Sequence, residues 1–122
     1  MGRTSEKVMI KNYDDIVLSD NGYIKSSEIR IVEIDAIVDT GAAYLCLPPK
    51  VIIELGLTFA YSKPVKTGNG NLELRIFRGA EIIIRDRSIQ MQVMENKDDN
   101  VPALIGYLVL EEMDWVVNPD MY

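Results

Sequence analysis

The segment Ile29–Val38, IRIVEIDAIV, alternates with a period of two and is rich in β-branched residues. Val32, Ile34, Ala36 and Val38 fall on one face and Glu33 and Asp35 on the other, the pattern of a strand with one buried side. The strand ends at Asp39, where an apolar run gives way at once to Thr40-Gly41-Ala42. A carboxylate placed in or near a core is costly unless something stabilises it. Asp39 is therefore either an ordinary turn residue or a group that does chemistry.

Other short segments fit a β-rich domain. Lys7–Lys11 reads as a first strand and "YLCL" as a short buried one. Leu57–Lys66 is expected to be extended, with Leu72–Phe77 returning beside it. "GAEIIIRDRSIQMQVME" divides into two strands about a turn at Asp86-Arg87, with Ile89, Met91 and Val93 alternating against Gln90 and Gln92. "ALIG" and "DWVV" close the set of strands. The polar stretch Asn12–Ser27 is expected to be a long connection with one helical turn. Pro48-Pro49 opens a helix through "KVIIELG", which Gly56 ends. "YLVLEEM" forms one or two helical turns. "TGNGN", Thr67–Asn71, is a hairpin tip in which Asn69-Gly70 supplies positive φ. Many short strands, tight turns and about two short helices favour an all-β, closed or nearly closed barrel. At 122 residues, nearly half of them hydrophobic, the chain is one domain with a real core.

Composition narrows the chemistry. A net charge of −6 argues against nucleic acid and anionic membrane surfaces as partners. No apolar run is long enough to span a bilayer. "MGRTSEKVMIK" lacks a signal-peptide core, and Glu6 breaks the myristoylation pattern. The lone Cys46, among apolar neighbours, reads as an inert buried thiol, and a cytoplasmic location is expected. The absence of histidine excludes Ser-His-Asp and Cys-His catalysis and His-ligated zinc. No phosphate-cradling glycine motif is present. Asp98-Asp99-Asn100 lacks Ca²⁺-loop spacing and reads as a solvated loop. Carboxylates, hydroxyls, lysines and backbone remain; no metal or organic cofactor is expected.

In Asp39-Thr40-Gly41, glycine lets backbone N–H groups approach the carboxylate, which favours its charged form. Thr40 offers a hydroxyl to a second copy of the same loop, and Ala42 leaves room. One carboxylate is a poor tool for hydrolysis; two that share a proton can act as base and acid. The chain has a single Asp-Thr-Gly, so the second must come from a second chain by two-fold symmetry.

"AIVDTGAAYLCLP" resembles the active-site loop of retropepsin-like aspartic proteases, the single-lobe homodimeric relatives of pepsin. "ALIGYLVLEEMDWVVNP" resembles their closing segment, particularly in small bacterial and archaeal members. "VKTGNGNLEL" lies where their flap hairpin stands. The resemblance spans roughly Ile29–Pro119, with Leu-Ile-Gly about sixty-five residues after Asp-Thr-Gly. It implies a single domain over 1–122 that forms half of a pepsin-type barrel, with a polar insertion at 12–28 and a flap at about 62–77. It further implies an endopeptidase with Asp39 catalytic, Thr40, Gly41 and Ala42 supporting, and Leu104, Ile105 and Gly106 packed around the loop. Thr67, Gly68, Asn69 and Gly70 would close over an extended peptide or protein substrate. Partners are then a second copy and that substrate. Two departures stand out. Tyr107-Leu108 follows the apolar-apolar-Gly triplet where retroviral members carry Arg or Met and then Asp or Asn, so an arginine dimer contact does not carry over. The insertion is also longer than theirs, so their terminal dimer sheet is not implied. The same fold also serves as a non-catalytic dimerisation or peptide-binding module. A small-ligand barrel is a third reading, which leaves Asp-Thr-Gly without a role. Tyr107 and Trp115 are expected in core or interface packing.

Overall fold

A computed structural model describes residues 4–113. The expected "DWVV" strand and Trp115 lie outside the described residues. Within them the order is β1 (Ser5–Asn12), α1 (Tyr13–Asp20), a 3₁₀ turn (Ser26–Glu28), β2 (Ile31–Val38), β3 (Leu45–Leu47), α2 (Pro49–Leu55), β4 (Thr58–Thr67), β5 (Gly70–Ile84), β6 (Arg87–Glu95), β7 (Leu104–Ile105) and α3 (Tyr107–Glu112). One mixed sheet runs β1-β2-β7-β3-β6-β5-β4, and a further β1–β5 pairing closes six of these strands into a ring. β4 hangs outside it on β5, an edge position that tolerates Pro64.

Alternation places the core. Val8 pairs with Ile34 on one side and Ile84 on the other, and Ile10 with Val32 and Ile82. Val8, Ile10, Ile82 and Ile84 are fully buried, as are Leu45, Leu47, Val93 and Ile105. Each such side chain contributes about 1.5–3 kcal/mol of transfer free energy. On β2, Ala36 and Val38 are buried and Val32 and Ile34 half-buried, while Glu33 and Asp35 are exposed. α2 begins at Pro49, buries Val51, Ile52 and Leu55 and ends at Gly56 in the left-handed conformation.

Three expectations are corrected. Leu72–Phe77 and the strand after it are one element, β5, bent where the β5–β6 register shifts between Phe77 and Ala80. Gly79, at φ +89°, supplies the irregular backbone, so the chain bends without ending the strand. The next turn is Arg85-Asp86, one residue earlier than expected, because Ile84 pairs with Arg87; Arg85 takes the positive φ of 57°. The polar connection holds a two-turn helix, α1, where one turn was expected.

α1 is built from polar contacts, which its contiguous Ile16-Val17-Leu18 does not announce. The buried Asn12 side chain accepts a hydrogen bond from the Asp15 N–H (3.0 Å) and donates to the Leu55 carbonyl (2.8 Å). It thereby caps α1 and ties it to the end of α2. Buried Asp15 accepts from the Arg30 backbone N–H (3.0 Å) and from Nε (2.8 Å) and Nη2 (3.0 Å) of its guanidinium. That arginine holds the carboxyl below its usual range against the opposing effect of burial. Arg30 also fills the space beside Gly56, where a β-carbon would lie 1.9 Å from Nη1.

Candidate active site

The two residues of β7 organise the site. They enter between the arms of the Asp39 loop, parallel to β2 (Ile37 with Leu104, Val38 with Ile105) and antiparallel to β3 (Leu45 with Ile105, Cys46 with Leu104). The Asp39 N–H then donates to the Ile105 carbonyl (3.0 Å). On the other arm, the N–H groups of Gly106, Tyr107 and Leu108 donate to the carbonyls of Tyr44 (2.9 Å), Ala42 (2.9 Å) and Ala43 (3.0 Å). These bonds satisfy donors at the start of α3 that the helix leaves unpaired, and they fix the loop's path. Gly106 is required for this approach: a β-carbon there would stand 2.4 Å from the Ala43 carbonyl carbon. Its own φ of −84° is ordinary, so the constraint is space alone. Leu104, Ile105 and Gly106 thus lie against the loop.

Placement of β7 depends on the buried Asn96 at the end of β6. Its N–H donates to the Leu47 carbonyl (2.8 Å), and its side-chain amide to those of Val101 (3.2 Å) and Pro102 (3.1 Å). The polar loop after it is pinned at both ends. Asp98 and Asp99 are exposed there, and Asp99 accepts from the Lys50 N–H at the start of α2 (2.9 Å).

Inside the loop, the Ala42 N–H donates to the Asp39 carbonyl (3.0 Å) and the Gly41 N–H to Asp39 Oδ1 (3.0 Å). The backbone therefore presents one donor to the carboxylate. The expected burial of that carboxylate is not met within one chain. Asp39, Thr40 and Gly41 are exposed and only Ala42, Ala43 and Tyr44 are half-buried. The buried face of β2 stops at Val38, so Asp39 stands at the rim. Cys46, nearby and buried, has its thiol pushed up to about 11, first by burial and then by the negative charge of Asp39.

The β4–β5 hairpin carries the expected flap residues. Thr67 pairs with Gly70, leaving Gly68-Asn69 as a two-residue tip. Of the expected Asn69-Gly70 pair, positive φ falls on Gly70 (+111°) and not on Asn69. The hairpin meets the Asp39 loop through residues that the sequence does not single out. Lys63, Pro64 and Val65 on β4 line a cavity of about 350 Å³ together with Gly41 to Tyr44, Cys46 and Met94. Lys63 Nζ lies 3.5 Å from the Tyr44 hydroxyl and 5.2 Å from its ring centroid. In sequence, Tyr44 is indistinguishable from the first residue of an apolar strand. Tyr107, expected in packing, is 42% exposed. Among the described residues no cluster of three or more potential metal ligands occurs, and no helix is long and apolar enough to cross a membrane.

A ring-like β-sheet thus carries an exposed Asp-Thr-Gly loop locked by an apolar-apolar-Gly strand, the arrangement that the resemblance to retropepsin-like aspartyl proteases implies. Residues 26–112 match the family model described as "gag-polyprotein putative aspartyl protease", and the chain belongs to that family. No match is found among curated proteins.

Proposed function

We infer that the protein is an aspartic endopeptidase whose active site forms between two copies of the chain. The observation that carries this reading is the state of Asp39. Its loop is fixed by five backbone hydrogen bonds within it and to the β7–α3 segment, yet its carboxylate is left exposed at the rim. A rigid loop with an open reactive group suits a face completed by another copy of itself. Two-fold symmetry would bring Asp39 against Asp39 of a second copy, with Thr40 of each loop bonding across the axis.

Two carboxylates at that distance hold one proton between them, the established behaviour of aspartic proteases as a class. The charged aspartate takes a proton from water as the water oxygen attacks the peptide carbonyl carbon. The neutral one donates its proton to the carbonyl oxygen. In the tetrahedral species so formed, the C–N bond breaks as a proton passes to the departing nitrogen. The products are a carboxylic acid and an amine, and the dyad again holds one proton. The β4–β5 hairpin, tipped by Gly68 to Gly70, would pair with the extended peptide and exclude water. A reducing compartment such as the cytoplasm suits a chain whose single cysteine is buried.

The test is hydrolysis of a broad peptide library from about pH 3 to about pH 8, with rate measured against protein concentration. The reading requires turnover that rises faster than linearly where the dimer dissociates. A strict monomer that cleaves would overturn the shared site. A dimer that binds peptides and never cleaves them would establish a binding module instead.

A further inference from the structure

The cavity beside the Asp39 loop is apolar on most of its surface. Ala42, Cys46, Val65 and Met94 line it, and burial keeps the Cys46 thiol neutral at ordinary pH. Lys63 is the only charged side chain among the described residues that line it. It makes no ion pair among the described residues; its ammonium rests on the Tyr44 ring and hydroxyl. Arg75, on the neighbouring strand, is by contrast already bound to Glu95 at 2.7 Å. In a chain of net charge −6, an unpaired cation facing an apolar cavity at the candidate active site is conspicuous. Lys63 is exposed to solvent while the cavity is open. Once a peptide and the hairpin exclude that solvent, the ammonium needs an anion or its burial is costly.

We propose that this cavity receives an acidic side chain of the bound peptide, glutamate before aspartate, with Lys63 as the residue that selects it. The proposal rests on the peptide-binding reading of the Asp39 site. Glutamate is preferred because its two methylenes can lie along Ala42, Val65 and Met94 while the carboxylate reaches Nζ. Asp39 opposes such a guest, since its negative charge is felt at Cys46 on the same wall. Discrimination therefore depends on Lys63, and its loss should remove or invert the preference.

The probe is a set of decapeptides carrying Glu, Gln or Lys at each position in turn, with binding measured by fluorescence anisotropy on the full-length Asp39→Asn chain. At one position, Glu should bind about fivefold to tenfold more tightly than Gln, the range of a partly exposed charge-assisted contact. Adding Lys63→Met should bring Glu to parity with Gln or below it, and Lys63→Glu should favour the Lys peptide. Thermal melting verifies that each variant is folded. Equal binding of Glu and Gln at every position, or a Glu preference that survives Lys63→Met, overturns the proposal. Turnover by the unsubstituted chain is scored separately. Lys63-dependent binding without hydrolysis would leave the cavity assignment standing and overturn the peptidase. Hydrolysis without a glutamate preference would do the reverse, and peptides neither bound nor cleaved would overturn both.

Discussion

Gly106 approaches Ala43 so closely that a β-carbon on it would lie 2.4 Å from the Ala43 carbonyl carbon and 2.5 Å from its oxygen. The obstructing atoms are backbone: the Ala43 carbonyl already accepts from the Leu108 N–H and the Tyr44 carbonyl from the Gly106 N–H, and neither can rotate aside. Gly106→Ala should therefore push β7 and the Asp39 loop apart, at a cost of about 1–3 kcal/mol. Chemical denaturation should show the loss, and any peptidase activity should fall further than the folded fraction does. Wild-type stability in this variant would mean that the loop and β7 are less tightly joined than described.

Asp39→Asn preserves size and can still accept the Gly41 N–H, so folding should be unchanged within about 0.5 kcal/mol. Turnover should drop by about 10²–10⁴-fold, the usual contribution of a positioned acid or base. Equal mixing with the unsubstituted chain gives a sharper result. If pairing is random, half of the active chains enter mixed pairs with one aspartate, and activity should fall to roughly half. Activity unaffected by mixing, with subunit exchange verified by mass, would mean that each chain works alone.

At the hairpin tip, Gly70→Val introduces a β-branched residue at a φ of +111°. A side chain there meets no atom within 4 Å, so the penalty is conformational and local, about 1–3 kcal/mol. Global stability should fall modestly, while kcat/KM drops at least about tenfold because closure assembles the site. Gly68→Ala is the control for the backbone penalty, since Gly68 also has open space but no positive φ; it should leave melting unchanged. Unaltered kcat/KM in a folded Gly70→Val dimer would remove this hairpin from the role of flap.

The Asp15–Arg30 pair sets a pH dependence of stability. The folded-state carboxyl lies below its value of 3.8 in the unfolded chain. Its contribution is complete above that value and is lost as pH falls through the folded pKa. Asp15→Asn should cost about 1–2 kcal/mol near neutrality, the lower part of the range for charge-assisted hydrogen bonds, because Arg30 is half exposed. Melting temperatures of the two proteins should converge below about pH 4. A constant difference down to pH 2, roughly two units below the unfolded value, would show that charge is not what Asp15 supplies.

Where one force decides an outcome, the sequence displays it. The alternation through Val32, Ile34, Ala36 and Val38 orients β2, and Pro49 with Gly56 brackets α2. Asp-Thr-Gly and Leu-Ile-Gly could be connected only through their resemblance to a family. The remainder depends on contacts between distant residues. Asn12 caps α1 and reaches Leu55; Asp15 waits for Arg30; Gly79 reads as a strand boundary until β6 is seen to continue past it. Lys63 and Tyr44 form part of the site only because the hairpin folds back over the loop. The burial expected of Asp39 is absent for a different reason: the buried face of β2 stops at Val38, which leaves Asp39 at the rim.

β7 also has a bearing on when the loop can form. The acceptor for the Asp39 N–H is Ile105, and the donors to the loop's other arm belong to Gly106, Tyr107 and Leu108. During synthesis, β2 and β3 leave the ribosome with the loop between them unbraced, since its whole frame lies far downstream. Closing so long a separation is entropically late. A chain still being made could hold most of its barrel strands and yet have no ordered Asp39 loop. On the proposed reading, order of emergence would delay any activity until the segment from Ile105 to Leu108 has been made.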